Sequence, residues 1–196
     1  MKSISEIIQK NGGESLAVPI DVSKPDEINQ LKEQAEAFGD VSVVINNAGL
    51  GKFCKIEDIS LEDWNLQLDV NLRASFLISQ AFIPSMKQNK KGTLVFINSV
   101  AGLNPYKDST AYVASKHGLK GFSSALREEL REYNIKVISI YPGAVNTPLW
   151  DNIVADDIKE NMMDVDNVSD IIINAIHSPE NCTTEEITIR RVLGDF

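Results

Sequence analysis

The feature that most constrains this chain is an alternation. Short runs rich in β-branched residues recur, and longer stretches of helical periodicity separate them. SLAVPI (15–20), VSVVIN (41–46), TLVFIN (93–98), KVISIY (136–141) and the weaker EITIRR (186–191) read as strands. Their almost uniform apolarity suits strands covered on both faces, as in a parallel sheet. Between them, residues 24–38, 61–87 and 111–133 read as helices, with Asp26, Ser60 and Ser109 as expected caps. Strand followed by helix, repeated, predicts an α/β fold with a doubly wound parallel sheet. In the third helix Leu119, Phe122, Leu126 and Leu130 form one apolar stripe. Gly118 and Gly121 beside it cost helix propensity, a cost usually accepted where a helix approaches a neighbour closely, and they leave a flank for a partner subunit.

At 196 residues the chain has the length of one domain, and neither repeat nor interdomain linker divides it. With 19 Lys and Arg against 28 Asp and Glu the net charge is −9, which disfavours nucleic acid and anionic membranes as partners. The N-terminus lacks a signal-peptide core and no run of about 18 apolar residues occurs. Cys54 and Cys182 stand apart without a CxxC pattern. These features predict a cytoplasmic protein in a reducing compartment. The seven acids between Asp151 and Asp170 read as solvated helix faces and caps. His117 and His177 have no neighbours at ligand spacing, so no metal is expected.

In open α/β sheets ligands bind beyond the carboxyl ends of the strands. The residues following the runs there are Asp21-Val22, Asn46-Asn47-Ala48-Gly49, Asn98-Ser99 and Pro142-Gly143, a rim of amide, polar and glycine residues. Tyr112 and Lys116 lie four apart on one helical face, Ser99 precedes Tyr112 by 13 positions, and Asn71 falls within the long second helix. A Y-x-x-x-K pair alone is weak; this context makes it specific. A phenol titrates near 10, and a cation nearby favours the phenolate. At about 4 Å and an effective dielectric near 20 that cation contributes roughly 4 kcal/mol, so Lys116 is expected to lower the pKa of Tyr112.

Taken together, Asp21-Val22, Asn46 to Gly49, Asn71 in DVNLRA, Ser99 in INSVAG, Tyr112 and Lys116 in YVASK, and PGAVNTP (142–148) resemble the short-chain dehydrogenase/reductase family over essentially the whole chain. The resemblance implies a Rossmann-like fold, NAD or NADP as cofactor, and a small carbonyl or alcohol substrate. It implies catalytic roles for Asn71, Ser99, Tyr112 and Lys116. Lys116 would also bind the nicotinamide ribose, Ser99 would orient the substrate oxygen and Asn71 would hold a relay water. Asp21 and Val22 would meet the adenine, and Asn47, Ala48 and Gly49 would support the sheet beside the cofactor. The stretch carrying Pro142, Gly143, Val145 and Thr147 would meet the carboxamide. The stretch after Thr147 would be a substrate lid, with Trp150 shaping the pocket. Trp64, Met162 and Met163 read as packing. A homodimer or homotetramer is implied, formed through the helices at 61–87 and 111–133.

One part of the pattern is missing. The family's first strand, Gly-rich phosphate loop and second strand, about one βαβ unit, precede anything in this chain. The lone Gly49-Leu50-Gly51 has Cys54 at the third glycine position and follows the wrong strand. The expected fold is therefore an N-terminally incomplete domain over residues 1–196, with a gap in mid-sheet. SLAVPI then pairs directly with VSVVIN, another chain fills the gap, or Met1 is not the true start; the last is the favoured expectation. Two functions remain open: an NAD(P)-dependent oxidoreductase, or a non-catalytic fragment or interaction module unable to hold a dinucleotide.

Overall fold

The computed structural model describes residues 4–151 and 153–194. Met1 and Asn152, of the proposed start and the expected lid, lie outside them. In chain order the elements are α1 (Ile4–Lys10), α2 (Pro25–Phe38), β1 (Val43–Asn46), α3 (Leu61–Leu68), α4 (Ala74–Asn89), β2 (Gly92–Ile97), α5 (Thr110–Leu130), β3 (Ile135–Pro142), α6 (Asp156–Glu160), α7 (Val165–Ile176) and β4 (Glu186–Ile189). The strands form one parallel sheet in the order β1-β2-β3-β4. Four of the five apolar runs thus become neighbouring strands. Parallel pairing puts all their carboxyl ends on one rim.

Alternation along the strands divides the core in two. Val44, Leu94, Phe96, Ile135 and Val137 face α4 and α5, meeting Phe82, Met86, Leu119, Leu126 and Leu130. Val95, Ile138, Ile140 and Ile189 face α7, meeting Val168 and Ala175. Helices on both faces explain why β2 and β3 are mostly apolar. The predicted second helix is continuous from α3 to α4 but contains one π turn, Asp69–Arg73.

The strand expected at 15–20 does not form. Those residues run without regular structure, and among the described residues the outer edge of β1 has no strand partner. An apolar cleft of about 350 Å³ separates the two, lined by Val18, Ile20 and Val22 on one side and by Val43, Ile45 and Asn46 on the other. Val43 and Ile45 remain 38% and 49% exposed because α7 covers β2 to β4 and does not reach β1. A run with strand propensity becomes a strand only where a partner satisfies its N–H and C=O groups.

The caps follow local chemistry only in part. Ser60 accepts from the Asp63 amide at 3.0 Å, as expected. Lys24, not Asp26, is the N-cap of α2, with Pro25 opening the helix and Asp26 in its first turn. Ser109 occupies the cap of α5, but its hydroxyl donates to the Lys107 carbonyl instead. Gly118 allows a close approach, since a Cβ there would lie 2.8 Å from Leu72 Cδ2 of the π turn and that side chain would have to shift; Gly121 faces open space.

Phe96 is fully buried and meets Phe122 edge-to-face at 5.8 Å. Phe96→Ala should lower unfolding free energy by about 3–5 kcal/mol in denaturant titration. A loss below about 1 kcal/mol would remove the α4/α5 side as the main core.

Candidate active site

The site assembles where β2 ends and α5 begins. Asn98 sits one residue beyond β2, 4% exposed, and braces both elements. Its amide donates to the Lys116 carbonyl at 3.1 Å and its Oδ1 accepts from the Ser99 amide at 2.9 Å. Gly102 completes the contact: a Cβ there would come within 2.6 Å of Asn98 Oδ1 and 2.9 Å of the Lys116 carbonyl. The turn carrying Ser99 is thereby held against the helix carrying Tyr112 and Lys116.

Lys116 is 4% exposed, and its ammonium donates to the Ile97 carbonyl at 3.0 Å while lying 5.7 Å from the centre of the Tyr112 ring. Burial lowers its pKa to about 8. The Tyr112 hydroxyl is hydrogen-bonded with Ser99, which favours the phenolate, but burial outweighs this and raises its pKa. This corrects the sequence expectation: the desolvation of the phenol exceeds any help from a lysine that is itself desolvated. Tyr112 is held as a neutral phenol. The Ser99 oxygen also accepts from the Ala101 amide at 3.1 Å.

Asn71 lies in the π turn and is fully buried. Such turns interrupt the helical ladder and often mark functional positions. Its Oδ1 accepts from the Leu50 amide at 2.9 Å, and its Nδ2 donates to the Leu50 carbonyl at 2.9 Å and to Ser115 Oγ at 3.0 Å. Ser115 in turn donates to the Tyr112 carbonyl at 2.8 Å. Both side-chain N–H groups of Asn71 are therefore committed to positioning Leu50 and Ser115. Gly49 lies against this group, since a Cβ on it would stand 3.5 Å from Asn71 Oδ1 and 3.7 Å from Lys116 Nζ.

The stretch after β3 is pinned from two sides. The Gly143 amide donates to the Ile189 carbonyl at 2.8 Å, and Val145 bridges Met163, whose carbonyl accepts from Asn146 at 2.9 Å. Pro142 pairs with Ile189 at the strand end. Thr147 opens a short turn, Pro148–Trp150, which swings Trp150 onto Phe53. Asn47 and Ala48 line the cleft beside β1 together with Val22. Asp21 lies on the far side of that cleft and is exposed; its carboxylate accepts from the Ser23 amide and hydroxyl, at 3.0 and 2.7 Å, which holds its pKa low.

Ser99, Tyr112, Lys116, Asn71 and Gly49 thus converge on one rim, while Asp21 and Val22 stand apart across an open cleft. Ser115 escaped the sequence reading, and Asn98 was read only as a rim residue, because each acts by bracing, which no spacing rule reveals. Asn98 and Ser115 adjoin the named residues in sequence, a usable signal.

A dinucleotide can be tested against these groups. Lys116 spends one N–H on Ile97 and retains two, which suits a ribose diol beside Gly49. Asn46, 5% exposed, has no partner for either its amide nitrogen or its oxygen and lines the cleft, as a residue lacking a neighbour would. The described residues contain no glycine-rich turn opening a helix at the end of a strand next to β1. The residues present fit a ribose diol, and those described do not form a turn that fits a pyrophosphate.

The family model for short chain dehydrogenases matches residues 1–158. The chain belongs to that family. The short-chain dehydrogenase is 29% identical to the sepiapterin reductase of Chlorobaculum tepidum, covering all of this chain and 80% of that protein. It is 32% identical to an uncharacterized oxidoreductase of Staphylococcus aureus, covering 89% of this chain and 75% of the other. Among solved structures it superposes on a metagenomic short-chain oxidoreductase in complex with NADP, with a TM-score of 0.82, 28% identity and coverage of 96% and 79%. It also superposes on an alcohol dehydrogenase from the archaeon Thermococcus sibiricus complexed with 5-hydroxy-NADP, with a TM-score of 0.86, 26% identity and coverage of 95% and 79%. The Rossmann-like α/β fold and the family's oxidoreductase character follow.

Burial lowers the Lys116 pKa from 10.5 to about 8, so the folded state binds fewer protons than the unfolded chain between these values, and its stability rises with pH there. Below about pH 8 the penalty is fully present; above about 10.5 it is gone. Unfolding titrations of wild type and Lys116→Met across that window should show the wild type gaining about 3 kcal/mol relative to the variant. A difference independent of pH would refute the buried ammonium.

Proposed function

We propose that this short-chain dehydrogenase interconverts a small carbonyl compound and its alcohol, with NAD or NADP as the hydride carrier. The observation that carries the proposal is the convergence of Ser99, Tyr112, Lys116 and Asn71 on the rim where the parallel strands end. The NADP complexes of the two structural relatives support the cofactor class. When bound, the dinucleotide supplies or accepts a hydride at the carbonyl carbon. The chain's own residues manage the oxygen.

Ser99 donates to the substrate oxygen and orients it. Tyr112, kept neutral by burial, gives its proton to the developing alkoxide in the reducing direction. Lys116, with its pKa near 8, is mostly cationic at neutral pH and steadies the phenolate left behind. Asn71 and Ser115 hold α5 and the loop at Leu50 in register so that these groups stay aligned. Because burial favours the protonated phenol, reduction is the readier direction at neutral pH, and oxidation gains as pH rises.

A second reading, a non-catalytic module unable to hold a dinucleotide, is favoured by one observation: no phosphate-binding turn lies among the described residues. Titrating the chain with NADPH and NADH separates the two, because lack of binding to a folded chain sinks catalysis in this form. No helix among the described residues is long and apolar enough to cross a membrane. We place the protein in the cytoplasm on the strength of its two free cysteines. We also assign it a homodimer or homotetramer through α3, α4 and α5, where Leu61, Leu66 and Phe76 are exposed 75%, 42% and 41%.

Tyr112→Phe should cut turnover about 10²- to 10⁴-fold, the usual worth of a positioned acid, with NADPH affinity unchanged in fluorescence titration. Retained turnover would reject Tyr112 as the proton donor. Sedimentation showing only monomer would reject the assembly.

A further inference from the structure

One aromatic ring stands against the Tyr112 ring and stacks on a second. Phe53 meets the Tyr112 ring edge-to-face, with centroids 5.4 Å apart and planes at 70°, and lies parallel to Trp150 at 5.9 Å and 7°. All three side chains are only partly exposed. Phe53 comes from the loop after β1 and Trp150 from the turn after β3, so two distant segments meet beside the Tyr112 ring. We propose that Phe53, with Trp150, is a specificity-determining residue that forms a flat aromatic wall beside Tyr112 and selects carbonyl compounds bearing a planar, π-rich group. The proposal rests on the oxidoreductase reading and names its substrate class.

Phe53 is positioned by a loop tied down at two points just before it. Asn71 grips the main chain of Leu50 on both its N–H and its C=O. Fully buried Gln67 accepts from the Lys52 amide at 3.0 Å and donates to the Asp63 carbonyl at 3.3 Å. The Lys52 ammonium pairs with Asp63 on the same helix. Gly51 provides the seat of the ring: a Cβ there would lie 2.7 Å from Phe53 Cζ, so only glycine lets the phenyl group fold back over the loop.

A substrate oxygen within hydrogen-bond reach of Tyr112 and Ser99 places its carbonyl substituents next to a ring only 5.4 Å from the tyrosine. Fixed parallel ring faces reward a flat partner through offset stacking and exclude a puckered one of the same carbon count, whose axial hydrogens keep it from close approach. Cys54 and Lys52 flank Phe53, and neither offers a carbonyl-bearing ligand a comparable face.

The test compares acetophenone with cyclohexyl methyl ketone, by ligand-observed NMR titration of the 196-residue chain and by NADPH-coupled turnover. Wild type should bind the aryl ketone roughly fivefold to tenfold more tightly. Phe53→Leu, which keeps an apolar side chain and removes the ring, should bring the ratio close to one, and Gly51→Ala should do the same by displacing the ring. Equal affinity of wild type for both ketones, no detectable binding of either, or an unchanged ratio in Phe53→Leu overturns the proposal. If the aryl preference appears in binding while NADPH yields no turnover, the wall stands and the oxidoreductase reading of this form falls. If turnover occurs without aryl preference, only the wall falls.

Discussion

The site depends on one buried ammonium. Lys116, 4% exposed, sits in a position where an unpaired charge would be too costly, and the protein answers with the Ile97 carbonyl at the end of β2. That hydrogen bond ties α5 to the sheet, and Asn98 doubles the tie through the Lys116 carbonyl. The cost that remains appears as a pKa lowered to about 8, while the phenol's own burial raises the pKa of Tyr112. Stability is given up where a cation and a neutral phenol are buried near one another.

The bracing runs outward from that pair. Asn98 fixes the Ser99 turn, Ser115 fixes the backbone at Tyr112, and Asn71 fixes Leu50, which in turn carries Phe53 toward the tyrosine ring. Each brace is a buried amide or hydroxyl with its partners satisfied, the condition under which a polar network specifies a single geometry. The contrast is Asn46, buried and partnerless on the open side of β1. Buried polar groups are paired where β2 and α5 meet and are left unpaired at Asn46 beside the cleft.

Much of this was legible in the chain. The runs at 41–46, 93–98, 136–141 and 186–191 became adjacent parallel strands, and the helices at 24–38, 61–87 and 111–133 formed within a residue or two. Periodicity reports burial, and burial on both faces is what these segments have. The run at 15–20 carried the same signal and failed, since a strand is a property of a pair and its neighbour at β1 lies across a cleft. The Tyr112 and Lys116 pair was readable from a four-residue spacing, but its electrostatics were not: charge proximity predicted a lowered phenol pKa, and burial, invisible in sequence, reversed it. Gly118 served the close approach expected of it while Gly121, identical in the sequence pattern, met nothing.

The sequence by itself determined the α/β alternation, the family and the identities of Ser99, Tyr112, Lys116 and Asn71, because side-chain period and motif spacing are local properties of the chain. Only the tertiary structure decided which residues brace them, which way burial shifts the two titrating groups, and that Phe53 and Trp150, 97 positions apart, share one stacked contact beside Tyr112. Those are consequences of desolvation and of long-range packing, and both depend on which segments the sheet brings together.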